Sequence, residues 1–367
     1  MKPPRPLVPV DATHVRDGGR VLWYAAGCNY LGWSHDPRLI AAIAGCFQRA
    51  PIQPGASRAT TGEHADYLRA ERTLARFLRQ EAVVLLPTGY MAALSAMQGL
   101  SAHATHVVLH PAAHACLRDA ARLSGLVPIV GWDGSANGLQ ALRKAWRRGM
   151  RWVAALDGVA PARGDVADVP ALLAALPPDG WLLIDDAHGI GTLGRRGRGI
   201  LEHHGVADDR VVLTGSLAKA LGVAGGYVAG NRVVVESARR GDVHVGTTSP
   251  PLAMAAGVMA AVGLIREEPG RVRALQQRAA WLHGELHEWP GVHAHPASPV
   301  FAWIPGNALA ARRLARNLLA AGIHPPFIRY PSGPHGSAEG FFRFAASALH
   351  EWEDLKRLVA VLRANGT

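Results

Sequence analysis

Three short runs of this 367-residue chain set reactive residue types where a fold could present them. The first is Trp181–Gly191, WLLIDDAHGIG, in which four apolar residues run into Asp185 and Asp186, with His188 shortly after. Ligands of open α/β sheets bind at the carboxyl ends of strands, so these polar groups stand where a site is expected. A carboxylate there could pair with a protonated ring nitrogen, and the histidine could reach a neighbouring ring oxygen; a solvated turn after a strand has the same wording. The second run is Thr214–Gly222, TGSLAKALG, again behind an apolar strand. Lys219 stands among Ala218, Ala220 and Gly222, and desolvation in such a setting disfavours an ammonium and yields a nucleophilic amine. Most lysines simply lie on the surface. Ser216, three residues earlier, could bind a phosphate. The third run is Leu85–Leu94, LLPTGYMAAL, where a strand passes into Thr88-Gly89-Tyr90 and opens a helix. Free amides and the dipole at a helix N-terminus attract anions, and Gly89 lets the backbone approach closely. An ordinary strand–helix turn is the plainer alternative.

Together, a phosphate cradle, an acid at a strand end and a later lysine match the needs of pyridoxal 5′-phosphate. The lysine forms the imine, the aspartate keeps the ring nitrogen protonated, and the ring becomes an electron sink. Rival motifs are weaker. GIGTLG (Gly189–Gly194) fits GxGxxG, but DDAH separates it from its strand and RRGRG follows instead of an apolar helix. SLAK (Ser216–Lys219) fits the serine acylases' S-x-x-K, yet neither an SDN-like nor a KTG element occurs. HGELH (His283–His287) lacks the glutamate that zinc proteases place directly after the first histidine. RRGRG suggests RNA contact only weakly.

These runs need a scaffold. Short apolar segments alternate with amphipathic ones: strands at Ala82–Leu86, His106–Leu109, Val127–Val130, Trp152–Leu156, Trp181–Asp185, Val211–Thr214 and Gly226–Ala229, and helices at Ala115–Leu123, Leu139–Arg148 and Val169–Leu176. That alternation implies an α/β fold with a mainly parallel central sheet. The apolar run Leu252–Ile265 is too short to span a bilayer and reads as a buried helix. A turn at Glu267–Gly270 suggests a boundary, giving an N-terminal segment (1–50), a large domain (51–267) and a small α+β C-terminal domain (268–367). The latter holds strands Val300–Ile304 and Phe341–Ala346 and a last helix His350–Arg363. With 49% apolar and 18% charged residues the chain is globular, not disordered. The net charge of +11 favours anionic partners, but the basic residues are dispersed and no aromatic-studded stripe points to nucleic acid. Cys28, Cys46 and Cys116 form no CxxC pair, and Met1–Val10 lacks the apolar core of a signal peptide, so a cytoplasmic setting is expected.

The order and wording of the motifs resemble the fold-type I α-oxoamine synthases, from NYLGWSHDPRLIAAI (Asn29–Ile43) to FRFAASALHEWEDLKRL (Phe342–Leu358). The specific matches are SRATTG (Ser57–Gly62), the PTGY turn, AHACL (Ala113–Leu117), DDAHGIGTLGRRGRG (Asp185–Gly199), TGSLAKALG with GGYVAG (Gly225–Gly230), and GTTSPP (Gly246–Pro251). The resemblance implies Lys219 as the Schiff-base lysine, Asp185 as partner of the ring nitrogen and His188 as partner of the ring hydroxyl. It puts His114 on the ring face and Gly89, Tyr90 and Ser216 at the phosphate. Thr247 or Thr248 would reach the phosphate of a second subunit in a homodimer with shared sites. Arg343 would hold an amino acid's carboxylate, and Asn29 would lie near the acyl substrate.

The implied reaction condenses a small α-amino acid with an acyl thioester, from acyl-CoA or an acyl carrier protein, losing CO2. Aminotransferase or decarboxylase chemistry, or a non-catalytic binding role on the same fold, are the alternatives. The chain departs from the family at APARGD (Ala160–Asp165), where Pro161 replaces a serine and Arg163 an acid, and at Ala93, where an asparagine is usual.

Overall fold

The structure, a computed structural model, describes residues 6–329 and 340–365; part of the segment Met1–Val10 lies outside them. Two antiparallel sheets and one large mixed sheet build the described residues. The N-terminal sheet comprises β1 (Val8–Pro9), β2 (His14–Asp17) and β3 (Arg20–Trp23). The central sheet comprises β4 (Ala82–Leu86), β5 (His106–Leu109), β6 (Val127–Ile129), β7 (Trp152–Asp157), β8 (Trp181–Asp185), β9 (Val211–Ser216) and β10 (Gly226–Gly230). The C-terminal sheet comprises β11 (Val292–Ala294), β12 (Val300–Trp303), β13 (Phe327–Ile328) and β14 (Phe341–Ala345).

In the central sheet the order is β4-β10-β9-β8-β7-β5-β6. Strands β5 to β9 run parallel, whereas β10 is antiparallel to both β4 and β9. The fold is the α/β class with a mainly parallel central sheet that the strand–helix alternation implies. Both faces of the sheet are covered, which explains why its strands are apolar without alternation. Along β4, Val83 and Leu85 pack into one cluster with the helices Ala65–Leu78 and Leu252–Glu267, while Val84 and Leu86 pack into the other with the helix Gly89–Ser101. No helix among the described residues is long and apolar enough to cross a membrane.

The N-terminal segment is tied to the C-terminal sheet. Trp23 donates its amide to Gly322 O at 2.8 Å, and Ala345 and Ala348 donate theirs to Ala25 O and Tyr30 O at 2.9 and 2.7 Å. These bonds carry residues 25–30 along the edge of the C-terminal sheet toward the central one. Three expectations shift. Only Glu268 separates the helix Leu252–Glu267 from the helix Pro269–Leu286, because Pro269 is suited to the first position of a helix. The helix expected at Leu139–Arg148 instead runs Ala136–Leu142, capped by Ser135, and tightens into a 3-10 turn over Arg143–Ala145. The last helix begins at Trp352, since His350 is held in a turn by Ser347, whose amide donates to His350 Nδ1 at 3.2 Å.

Candidate active site

Parallel register sets the site. Asp157 at the end of β7 lies opposite Asp185 at the end of β8, which lies opposite Thr214 on β9. Asp185 is 7% exposed; its Oδ1 accepts the Ala187 amide at 3.0 Å and its Oδ2 accepts the Cys116 thiol at 3.3 Å. The adjacent Asp186 has no solvent exposure and turns elsewhere: its Oδ2 accepts the Ile200 amide at 3.1 Å. A Cβ at Gly189 or Gly199 would sit within 1.8 or 1.9 Å of its oxygens, so those glycines are what make room for it. Burial pushes the Asp186 carboxyl well up. Asp157 Oδ2 accepts the His114 amide at 2.8 Å, and burial together with the Asp185 charge raises its carboxyl to about 8.

Two adjoining cavities share His114, Pro161, His188 and Lys219. The inner one, about 300 Å³, is lined also by Thr88, Gly89, Tyr90, Asp185 and Ser216. The outer one, about 450 Å³, is lined also by Gly27, Cys28, Phe327, Ile328 and Arg343. Lys219 Nζ stands at their junction, 2.9 Å from His188 Nε2, and His188 Nδ1 is 2.7 Å from the hydroxyl of the buried Tyr30. Burial, with the charges of Lys219 and Arg343, holds His188 well below the ordinary imidazole range. His114 caps the helix Ala115–Leu123, its Nδ1 accepting the Cys116 amide at 3.3 Å. Burial lowers its imidazole too.

At the far end of the inner cavity Thr88 caps the helix Gly89–Ser101, accepting the Met91 amide at 3.1 Å. The amides of Gly89 and Tyr90 open that helix and have no partner within it. A Cβ on Gly89 would lie 2.9 Å from Ser216 Cβ, so glycine is what lets this turn press against the end of β9. The Tyr90 phenol bonds Asp119, leaving Tyr90 to offer the cavity its backbone. Arg343, on β14, is 7% exposed and its Nε donates to Pro161 O at 2.6 Å.

Most residues singled out in the sequence therefore converge: Gly89, Tyr90, His114, Asp185, His188, Ser216, Lys219 and Arg343 all line one cavity or the other. Three do not. Thr247 Oγ1 contacts Met91 Sδ at 3.5 Å and Thr248 is exposed, neither lining these cavities. Asn29 takes the Ser34 amide at 3.4 Å and faces a smaller cavity, while its neighbour Cys28 lines the outer one. Sequence reasoning missed Tyr30, Asp157, Cys28 and Cys116. Asp157 was detectable as an acid ending an apolar strand; the others carry no local signal.

The profile of the family described as aminotransferase class I and II matches residues 26–362. The chain belongs to that family. It is 33% identical over 359 residues to a putative 8-amino-7-oxononanoate synthase of Desulfovibrio desulfuricans, covering 97% of this chain and 92% of that one. It is 35% identical over 351 residues to the 8-amino-7-oxononanoate synthase of Stutzerimonas stutzeri, covering 94% and 88%. Its fold matches serine palmitoyltransferase from S. paucimobilis with a TM-score of 0.89 at 22% identity, over 98% of this chain and 92% of that one. The chain is thus a pyridoxal 5′-phosphate-dependent acyltransferase of the α-oxoamine synthase type. The cavities suit that cofactor on their own chemistry. Helix-opening amides and the Gly89 cradle fit a phosphate, the buried Asp185 carboxylate fits a protonated ring nitrogen, and an amine stands between them.

Proposed function

We propose that this enzyme condenses a small α-amino acid with an acyl thioester, from acyl-CoA or an acyl carrier protein, releasing the thiol and CO2 to give an α-amino ketone. The observation carrying this reading is that the buried guanidinium of Arg343 and the amine of Lys219 line the same cavity of about 450 Å³. A guanidinium fork suits a carboxylate, so the amino acid's carboxyl end would be held beside the amine that moves its Cα proton.

In this assignment Gly89, Tyr90 and Ser216 would hold the cofactor phosphate, Asp185 its ring nitrogen and His188 its ring oxygen, and His114 would contact the ring. When bound, the cofactor supplies an electron sink for negative charge developing at Cα. Lys219 anchors the cofactor and then serves as base at Cα. Asp185 keeps a proton on the ring nitrogen, its own charge supported by the Ala187 amide and the Cys116 thiol. His188 would donate toward the ring oxygen, and Phe327 and Ile328 give the outer cavity an apolar wall. Thr247 and Thr248 lie outside both cavities, which fits a homodimer in which they complete the partner's phosphate site. A monomer that still turns over at working concentration would rule that assembly out.

The reaction is tested by following thiol release with a chromogenic disulfide while amino acids are screened with and without acyl-CoA. One thiol per amino acid consumed is expected. Amino acid consumption with no thiol from any CoA or carrier-protein thioester, and accumulation of a keto acid or free amine, would assign transamination or decarboxylation instead. Borohydride treatment should fix the cofactor covalently, and peptide mapping should find it on Lys219.

A further inference from the structure

The basic loop Arg195–Gly199 takes no part in the chemistry above. Arg196 and Arg198 from this loop, with Arg266, line a separate cavity of about 420 Å³ whose remaining wall is Phe77, Ile265 and Pro269. That volume lies within the usual range for small-molecule sites. Arg79 adds a fourth charge that bears on Arg198. Several other arginines are matched to acids: Arg58 to Glu71, Arg239 to Glu71 and Arg271 to Glu268. Here the nearby acid is Glu202, and its Oε2 is occupied by the backbone amides of Arg196 and Arg198 at 3.0 and 3.1 Å. It shapes the loop and offsets only part of the repulsion among the guanidiniums.

Three further observations mark the cluster as built for an anion. Arg198 Nε is buried and has no hydrogen-bond partner among the described residues, and a buried donor calls for an acceptor. Burial and the charges of Arg79, Arg196 and Arg266 outweigh the Glu202 carboxylate and lower the Arg198 guanidinium, a like-charge strain that a bound anion would relieve. Arg79 is the one residue other than glycine with positive φ among the described residues, at 57°, on the C-cap of the helix Ala65–Leu78 where glycine is usual. A bulky cation is thus kept at a position that favours glycine.

Guanidinium forks match phosphate oxygens, and several of them around one cavity match a ligand bearing more than one phosphate charge. The apolar wall of Phe77, Ile265 and Pro269 gives a flat organic group a place beside them. We propose that this cavity binds a nucleoside phosphate. The two sources of that chemistry are the nucleotide end of a coenzyme A thioester and a free nucleotide.

The test uses the holoenzyme, so that the cofactor's own phosphate cradle is filled. Titration calorimetry with adenosine 3′,5′-bisphosphate and with ATP should show binding of at least one, weakened at least tenfold in the double variant Arg196→Ser, Arg266→Ser. The cofactor absorbance should not change. Arg79→Ser, on an exposed helix end, gives the same comparison should the double variant fold poorly. If the KM for acyl-CoA rises in the variant while that for an acyl-N-acetylcysteamine thioester does not, the nucleotide belongs to the acyl donor. Unchanged KM for both, with ATP binding lost, assigns a free nucleotide and holds whatever reaction the cofactor site performs. No binding at millimolar concentration, equal binding by wild type and variants, or binding only of a nucleic acid oligomer would overturn the proposal.

Discussion

Tyr30 and His188, 158 positions apart, share a buried hydrogen bond of 2.7 Å that decides which histidine nitrogen carries the proton. Arg343 Nη2 donates to the Tyr30 oxygen at 3.4 Å, and a guanidinium can only donate. The tyrosine's own proton therefore goes to His188 Nδ1. His188 Nε2 lies 2.9 Å from Lys219 Nζ; once Lys219 has given up its ammonium charge to anchor the cofactor, the remaining proton of the neutral, buried His188 sits on Nε2 and faces the site. Tyr30 is thus a positioning residue that aims a donor into the site.

Tyr30→Phe should keep the fold and the bound cofactor but lower kcat by roughly 10- to 100-fold, the usual cost of losing the partner that orients a working histidine. Nitrogen NMR of His188 should show a mixture of tautomers in place of the single Nε2–H form. A variant with reduced thermal stability but an unchanged tautomer would make Tyr30 merely structural.

The two neighbouring acids should respond in opposite ways. Asp185→Asn puts a neutral amide against the ring nitrogen, and kcat should fall by roughly a thousandfold or more while the cofactor stays bound. Asp186→Ala removes the acceptor of the buried Ile200 amide, so it should cost about 1–3 kcal/mol of stability and leave kcat nearly intact. Denaturant unfolding and turnover of both variants separate these outcomes. Loss of turnover in the Asp186 variant at full stability would put the wrong acid in the site.

Much of this arrangement was legible in the sequence because strand ends are local signals. The runs ending at Asp185 and Ser216, and the turn at Gly89, announce both a strand and a polar group at its carboxyl end, and parallel pairing then brings them together. Tyr30, Cys28 and Cys116 were not legible: their roles depend on contacts that only the closed chain makes. Tyr30 reaches the site because residues 25–30 follow β14, held by Ala345 and Ala348, a pairing across more than 300 positions that no local pattern encodes. Asn29 illustrates the reverse. Its motif resembles the family's, but the chain bends at Gly27 and Cys28, and of the two neighbours Cys28 alone also lines the outer cavity.

Arg343→Ala should raise the amino acid's KM by about 30- to 1,000-fold, the loss of roughly 2–4 kcal/mol for a charge-assisted contact in a dry site. The cofactor spectrum should change little, since Arg343 lines the outer cavity and not the inner one. Arg343→Lys should recover only part of the loss, because an ammonium cannot reproduce the fork that also donates to Pro161 O. Steady-state kinetics with varied amino acid checks this, and an unchanged KM in the alanine variant would remove the carboxylate assignment.

Acid should destabilise the fold through buried histidines, at a pH above the ordinary range of exposed carboxylates. His244 and His350 are 3% and 2% exposed, and burial lowers them to about 4 and about 3. Their unfolded counterparts titrate near the ordinary value of about 6.5, so below that pH the unfolded chain binds protons that the folded chain refuses. The contribution is complete above about pH 6.5 and drains away as pH falls toward the folded values. At pH 5 the loss is about 2 kcal/mol per histidine. His350 packs its ring 4.6 Å from that of Trp23 and accepts the Ser347 amide through Nδ1, so a second proton has no place to go without breaking that turn. Urea unfolding at pH 7 and pH 5 should therefore show a clear drop in midpoint for the wild type. His350→Gln, less stable at pH 7, should lose about 2 kcal/mol less on acidification; an equal loss in both proteins would mean that His350 is not a source of the acid sensitivity.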